Sequence, residues 1–323
     1  MSIIKAVPTG WSLRPVQEEV LRKVEEKLDS SDVFILRMPV ASGKTLTSLT
    51  LARYLNQAKK WKSRLLVPNN MLLQQYMDDF PNLNTLRKRE SYTCSLYENQ
   101  SVKYDCGEHT RLTGKNGKRG PYCKGCPYVT ALRKAQVMPY VVINNYTYLA
   151  YKMYAEGLII DEGHLLTGML KDMAARRLWH HDYRFPNYVR TYGQLARWVD
   201  ERLTRTPKDK KLLELKAELV ANRVSYLVEK GTGLYRGEER ECLKLIPVDI
   251  RSQPPLLWPQ HKVKKLFFLS GTINRKDVED MGLGDRRICI IDAPSPIPIE
   301  RRPLIVDPKF TLAASAHGRD IPA

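Results

Sequence analysis

The sequence predicts an α/β fold with a mainly parallel sheet, interrupted by two inserts. Three observations predict it. Short apolar runs alternate with stretches of helical periodicity from the amino terminus onward. The first of those runs ends in a Gly-containing turn that leads straight into a helix. Two stretches break the alternation, one basic and cysteine-bearing, the other helical and strongly charged.

The first element is a helix over about Arg14–Leu28, with Val16, Val20, Leu21, Val24 and Leu28 at helical spacing. An apolar strand, Val33–Leu36, precedes the tight segment Met38-Pro39-Val40-Ala41-Ser42-Gly43-Lys44-Thr45. Leu46–Leu55 reads as helix, Arg64–Pro68 as the next strand and Asn69–Asp79 as helix. From Lys88 to about Arg133 the chain is polar and basic and holds four cysteines. Sheet character returns in Val137–Ile143 and Gly157–Ile160. Residues from about Leu166 to Val228 read as almost entirely helical. Cys242–Val248 reads as β-like, Val263–Leu269 as a buried strand and Ile288–Ile291 as another. There is no internal repeat and no low-complexity tract.

Composition narrows the function classes. The 323 residues are 43% hydrophobic and 27% charged, which is the balance of a globular protein. Lys and Arg number 53 against 35 acidic residues, a net charge of +18 that points to a polyanionic partner. No apolar run approaches the ~18 residues of a membrane helix, so no membrane partner is expected. The start, MSIIKAVPTGW, lacks the charged-then-apolar layout of a secretory signal. A cytoplasmic setting follows as the expectation, and there six cysteines read as thiols or metal ligands rather than disulfides.

Three motifs carry chemistry. A strand, a Gly-containing loop and a helix place backbone N–H groups and a helix N-terminus around a phosphate, with Ser42 and Gly43 in the loop. Lys44 would reach the β- and γ-phosphates of ATP, and the Thr45 hydroxyl would ligate Mg²⁺. The strict G-x-x-x-x-G-K-[ST] pattern fails at its first position, which is Met38. The second motif is Leu158-Ile159-Ile160-Asp161-Glu162-Gly163-His164, an apolar strand delivering two adjacent carboxylates. Asp161 would hold the metal ion through its water shell, and Glu162 would orient and deprotonate the attacking water. The third is Cys94, Cys106, Cys123 and Cys126, followed by Pro127 and Tyr128. Four thiolates in a hydrophilic segment can bind Zn²⁺ or an iron–sulfur cluster, and spacing alone does not separate the two. Cys242 and Cys289 sit in apolar strand-like contexts and read as packing residues. Around the third motif, Lys115, Lys118, Arg119 and Tyr122 mix cations with an aromatic ring, which suits single-stranded DNA. Trp179, His180 and His181 read as packing and surface residues.

Taken together these residues resemble the iron–sulfur superfamily 2 DNA helicases of the XPD/DinG type. Met38-Pro39 ahead of Gly-Lys-Thr resembles that family's form of the phosphate loop, and Arg14-Pro15-Val16-Gln17 its adenine-recognition element. Asn69-x2-Leu72-Leu73-Gln74-Gln75, the approach Leu86–Cys94, Cys126-Pro127-Tyr128 and Val141–Tyr146 are similar to further family segments. Asp161-Glu162-Gly163-His164 resembles the DEAH-type box, and Ser270-Gly271-Thr272 resembles the motif that couples ATP state to DNA.

The resemblance implies a RecA-like P-loop NTPase domain with a parallel sheet, interrupted by a cluster insert and a mainly helical arch insert. Its parts would be motor domain 1 over 1–87, 136–165 and 256–298, the Fe–S insert 88–135, the arch 166–255 and a tail 299–323. It implies a 4Fe–4S cluster on Cys94, Cys106, Cys123 and Cys126, Mg²⁺ and ATP as further cofactors, and Arg14 and Gln17 at the nucleotide. It implies coupling roles for His164, Ser270, Gly271 and Thr272. Single-stranded or forked DNA would be the partner, unwound 5′→3′, at a cytoplasmic, nucleoid or viral replication site. Ala41 stands where the family has Gly, and Gly163 where it has Ala. Nothing after Pro298 resembles a second motor domain, so the expectation is the ATP-, cluster- and DNA-binding half of a helicase, the other half lying on a separate chain or having been lost or truncated. The alternative is a DNA-binding Fe–S module that binds ATP without efficient turnover.

Overall fold

A computed structural model describes residues 1–95, 102, 125–151, 153–221, 226–235, 238–251 and 263–295. The helices are α1 (Pro15–Lys27), α2 (Lys44–Lys59), α3 (Asn70–Asp79), α4 (Pro127–Val137), α5 (Asn145–Tyr151), α6 (His164–Ala174), α7 (His180–Tyr183), α8 (Tyr192–Arg205), α9 (Lys210–Ala221) and α10 (Arg275–Val278). The strands are β1 (Val33–Arg37), β2 (Ser63–Val67), β3 (Thr85–Leu86), β4 (Tyr140–Asn144), β5 (Gly157–Asp161), β6 (Arg176–Trp179), β7 (Tyr226–Tyr235), β8 (Glu238–Pro247), β9 (Lys265–Ser270) and β10 (Ile288–Asp292).

Seven strands form one parallel sheet in the order β10-β1-β9-β5-β2-β4-β3. Its strands are apolar on both sides because helices cover both faces. Phe34 and Leu36 of β1, Ile159 of β5 and Phe267 and Leu269 of β9 face one core. Val33 and Ile35, Leu158 and Ile160, and Leu266 and Phe268 face the other. The register sets Asp161 beside Leu269 and Arg37 beside Ser270. The carboxyl ends of β1, β9 and β5 therefore lie together, with the residues that follow them on one edge. The fold is α/β with a parallel sheet, as the sequence predicts.

Local chemistry sets the helix boundaries. Asn69 caps α3 by accepting from the Leu72 N–H at 2.9 Å. Thr191 and Gln194 close a capping box at the start of α8. α4 extends to Val137, so strand structure begins at Tyr140 rather than at Val137.

The insert between α6 and β9 carries helices α8 and α9, but it also carries an antiparallel sheet in the order β6-β8-β7. The sequence predicts β structure there only over Cys242–Val248 and helix over about Leu166–Val228, a span that instead includes β6 and the start of β7. β7 pairs with β8 over ten residues, from Tyr226 opposite Pro247 to Tyr235 opposite Glu238. Its Gly231 and Gly233 blunt the strand signal, and long-range pairing supplies what local propensity lacks. Leu178, Leu195, Val199, Leu215, Leu243 and Leu245 build a separate core beneath this sheet. Cys242, which precedes Leu243 in β8 and lies outside that core, is also buried, and burial pushes its thiol up. Among the described residues, no helix is long and apolar enough to cross a membrane.

Candidate nucleotide site

The site grows from the ends of three strands. After β1, the Met38 N–H bonds to the Ser270 carbonyl at 3.0 Å, tying the start of the loop to the end of β9. The loop then turns on itself: Ser42 is fully buried, and its Oγ donates to the Pro39 carbonyl at 2.6 Å. Ala41 has φ 64° and Gly43 φ 82°, both in the left-handed region. The methyl group at Ala41 is tolerated because the residue is exposed, although the conformation costs about 1 kcal/mol. Gly43 has no such latitude. A Cβ there would lie 2.3 Å from Gln17 Nε2.

That closeness reflects a brace. Gln17 Nε2 donates to the Gly43 carbonyl at 2.8 Å, while its Oε1 accepts from the Arg14 N–H at 2.7 Å. Arg14 Nη1 donates to the Ala41 carbonyl at 2.6 Å. Arg14 and Gln17, expected at the nucleotide, thus hold the loop before α2 by its backbone. Lys44 and Thr45 then open α2, whose N-terminal N–H groups face the same edge.

β5 delivers the carboxylates. Asp161 is 2% exposed, and its Oδ2 accepts from the Tyr76 hydroxyl at 3.0 Å. The Tyr76 oxygen lies 2.5 Å from Ser48 Oγ, so α2 and α3 both contribute to positioning Asp161. Burial pushes the Asp161 carboxyl up to about 6, against the downward pull of the Tyr76 hydrogen bond and of Lys44. Tyr76 is fully buried, and its hydroxyl is raised well above its usual range by burial and then by the Asp161 charge.

Glu162 follows with φ 49°, a left-handed conformation that strains a non-glycine residue. Its neighbours hold it there. Its N–H donates to Asp161 Oδ1 at 3.0 Å, and the Gly163 N–H donates to the Leu269 carbonyl at 3.1 Å. Gly163, where the resembled family has Ala, is fitted to this packing: a Cβ would come within 3.0 Å of the Phe268 ring and 3.3 Å of Ile273. So placed, Glu162 Oε1 meets Lys44 Nζ at 2.6 Å and Oε2 lies 3.4 Å from His164 Nδ1. The same His164 nitrogen lies 2.8 Å from Ser270 Oγ, which also accepts from the Thr272 N–H at 3.2 Å. At Gly271 a Cβ would lie 3.5 Å from the Met38 carbonyl oxygen, an ordinary contact distance.

Lys44, Asp161, Glu162, His164, Ser270 and Thr272, far apart in sequence, thus form one connected polar set. Sequence reading missed Tyr76 and Ser48. The signal was present: Ser48 is one helical turn beyond Lys44, and Tyr76 puts a hydroxyl among the inward residues of α3.

Of the four clustered cysteines, the structure places Cys94 and Cys126. Both pack with the same apolar core, and Ser95 Oγ lies 4.0 Å from the Cβ position of Gly125, so the two segments adjoin. Cys126 precedes α4 directly, and the Tyr92 and Tyr128 rings beside them are 5.5 Å apart. Cys106, Cys123, Lys115, Lys118, Arg119 and Tyr122 lie outside the described residues. Among the described residues, no group of three His, Cys, Asp or Glu side chains is placed to hold a metal ion.

Residues 10–185 match the family model described as type III restriction enzyme, res subunit. Among solved structures, the chain is similar to one named XPD_Helicase, with 15% identity, TM-score 0.47 and coverage of 87% of this chain and 62% of that one. It is similar to one named Truncated XPD, with 16% identity, TM-score 0.46 and coverage of 87% and 100%. A third, XPD_APO, gives 15% identity, TM-score 0.41 and coverage of 84% and 56%. The chain therefore spans less than two thirds of the length of the first and third of these. No curated protein matches it.

Proposed function

The chain belongs to the family described as type III restriction enzyme, res subunit, and on that premise we propose that it is an ATP-dependent helicase motor domain acting on DNA. The observation that carries this reading is the meeting of Lys44 and Glu162 at 2.6 Å beside the buried Asp161, on the edge where the phosphate loop and α2 begin. A triphosphate entering the loop would find backbone N–H groups and the N-terminus of α2, and it would draw Lys44 off Glu162. Its arrival would thereby free Glu162 to orient and deprotonate water. Thr45 and Asp161 would hold Mg²⁺, whose charge offsets that of the phosphates. His164, Ser270 and Thr272, with Gly271 between the last two, connect Glu162 to the end of β9 and so to the rest of the sheet edge.

Several parts of the proposal go further. DNA is taken as a single strand, translocated 5′→3′ and gripped by Lys115, Lys118, Arg119 and Tyr122. Cys94, Cys106, Cys123 and Cys126 would hold a 4Fe–4S cluster, which would cross-link the segments that carry them. The adjacency of the Cys94 and Cys126 segments fits that donor set. Residues 88–135 and 166–255 serve as the cluster and arch inserts. An arginine-bearing surface, on another chain or elsewhere on the same polypeptide, completes the site, since such an arginine is worth about 10³–10⁵ in rate.

ATP hydrolysis with and without single-stranded DNA tests the reading. DNA-stimulated turnover that disappears in Lys44→Ala is expected. Turnover or nucleotide affinity unchanged in that variant would overturn it. Vigorous turnover by this chain alone would remove the need for a second surface, and tight ATP binding without turnover would favour the regulatory-module alternative. Iron content with broad visible absorbance distinguishes the cluster from zinc.

A further inference from the structure

Helix α3 has two faces with different relations to the site. Its inner face carries Tyr76, which holds Asp161. Its outer face forms one wall of an open groove of about 710 Å³ that Glu162 and Leu165 also line. Met71 and Leu165 stand in that groove 83% and 46% exposed, and Leu72, Asp78 and Asp79 line it with them. Among the described residues no lysine or arginine lines it, on a chain where cations outnumber carboxylates 53 to 35.

The chemistry of the groove selects its occupant. A nucleic acid strand would meet Asp78, Asp79 and Glu162 with no cation to receive its phosphates. The carboxylates are not grouped to hold a metal ion. Exposed apolar side chains flanked by carboxylates complement a peptide with one apolar and one cationic face. We infer that this groove docks a basic, amphipathic segment of a protein partner, and that docking adjusts the ATP site beside it. Two contacts carry the adjustment: Glu162 belongs to both groove and site, and α3 reaches Asp161 through Tyr76. The adjustment rests on the proposed ATPase reading, whereas docking does not.

The test uses the full chain and a fluorescent synthetic peptide of leucine and lysine arranged for one apolar helical face. A matched peptide with glutamate for lysine is the control. Because the chain carries +18, indiscriminate attraction of a polycation is disfavoured, and binding reports the groove. Anisotropy should show the lysine peptide binding, and the glutamate peptide, which a chain of +18 attracts elsewhere, failing to displace it. Asp78→Lys with Asp79→Lys should weaken it at least about tenfold. The two lysines would sit at the C-terminal end of α3, where the helix dipole favours them, so the fold is kept. Met71→Ser should weaken binding about threefold or more. Saturating peptide should change ATP-analogue affinity in the wild type. In Tyr76→Phe the peptide should bind as before, with that change reduced.

Equal binding by wild type and the double-lysine variant would overturn docking. So would self-association that the double-lysine variant abolishes, since the occupant would then be a second copy of the chain. Peptide binding with no effect on ATP-analogue affinity would overturn the coupling. Peptide binding in a chain that never hydrolyses ATP would leave docking standing and remove the helicase reading instead.

Discussion

The carboxyl edge of the parallel sheet and the insert between α6 and β9 are stabilised in different ways. At the sheet edge, polar groups are buried and bonded to one another or to backbone: Asp161 to Tyr76, Gln17 to Gly43, Ser42 to Pro39. In the insert, an apolar core of Leu195, Val199, Leu215 and Leu243 sits beneath exposed ion pairs such as Lys216 with Asp200 at 2.8 Å. The difference teaches where substitutions should matter. A buried polar network leaves stranded groups when one member is lost, whereas an exposed pair simply returns to water.

The largest effect on the sheet edge should come from Gly43→Ala. The new methyl meets Gln17 Nε2 at 2.3 Å in a conformation that alanine resists, so a loss of about 2–4 kcal/mol is expected in chemical denaturation, with loss of nucleotide binding. Adding Gln17→Ala should recover part of that stability, and a strictly additive double variant would show that the clash is not with Gln17.

Next comes Asp161. Its carboxyl, raised to about 6 from an ordinary 3.8, holds its proton more tightly in the folded chain than in the unfolded one. Stability should therefore fall as pH rises from about 4 through 6, by up to about 3 kcal/mol, in contrast to the usual carboxylate behaviour. Asp161→Asn should remove that slope and melt higher than the wild type at neutral pH. Denaturation midpoints across this window measure both.

Tyr76→Phe sharpens the comparison further. It strips one donor from Asp161 and should cost about 1–2 kcal/mol. It should also move the Asp161 titration upward, so the acid limb of any ATPase profile shifts to higher pH. An unmoved limb would show that Tyr76 serves packing alone.

The smallest effect belongs to the insert. Asp200→Ala, which removes the exposed partner of Lys216, should change stability by no more than about 0.5 kcal/mol. A loss comparable to that of Tyr76→Phe would erase the distinction between the two regions.

Much of the sheet edge was legible beforehand, for a physical reason. Phosphate binding needs a strand, a turn and a helix in immediate succession, so Met38 to Thr45 is a local pattern. Two carboxylates at the end of an apolar strand are equally local. The insert was less legible, because β7 is held by pairing with β8 rather than by its own composition. Gly231 and Gly233 obscured it. The support of Asp161 by Tyr76 was hidden too, since 85 residues separate the partners.

The sequence alone determined the strand–turn–helix units, the residues at their ends and the charge that favours a polyanion. These depend on side-chain periodicity and on contacts within a few residues. Only the tertiary structure decided that β9 lies between β1 and β5, which joins Lys44 to Glu162 and His164 to Ser270. It alone turned Arg14 and Gln17 toward the loop backbone, set Gln17 against Gly43 and set Phe268 against Gly163. Those outcomes rest on close approach between distant segments, and packing at 3 Å has no counterpart in local pattern.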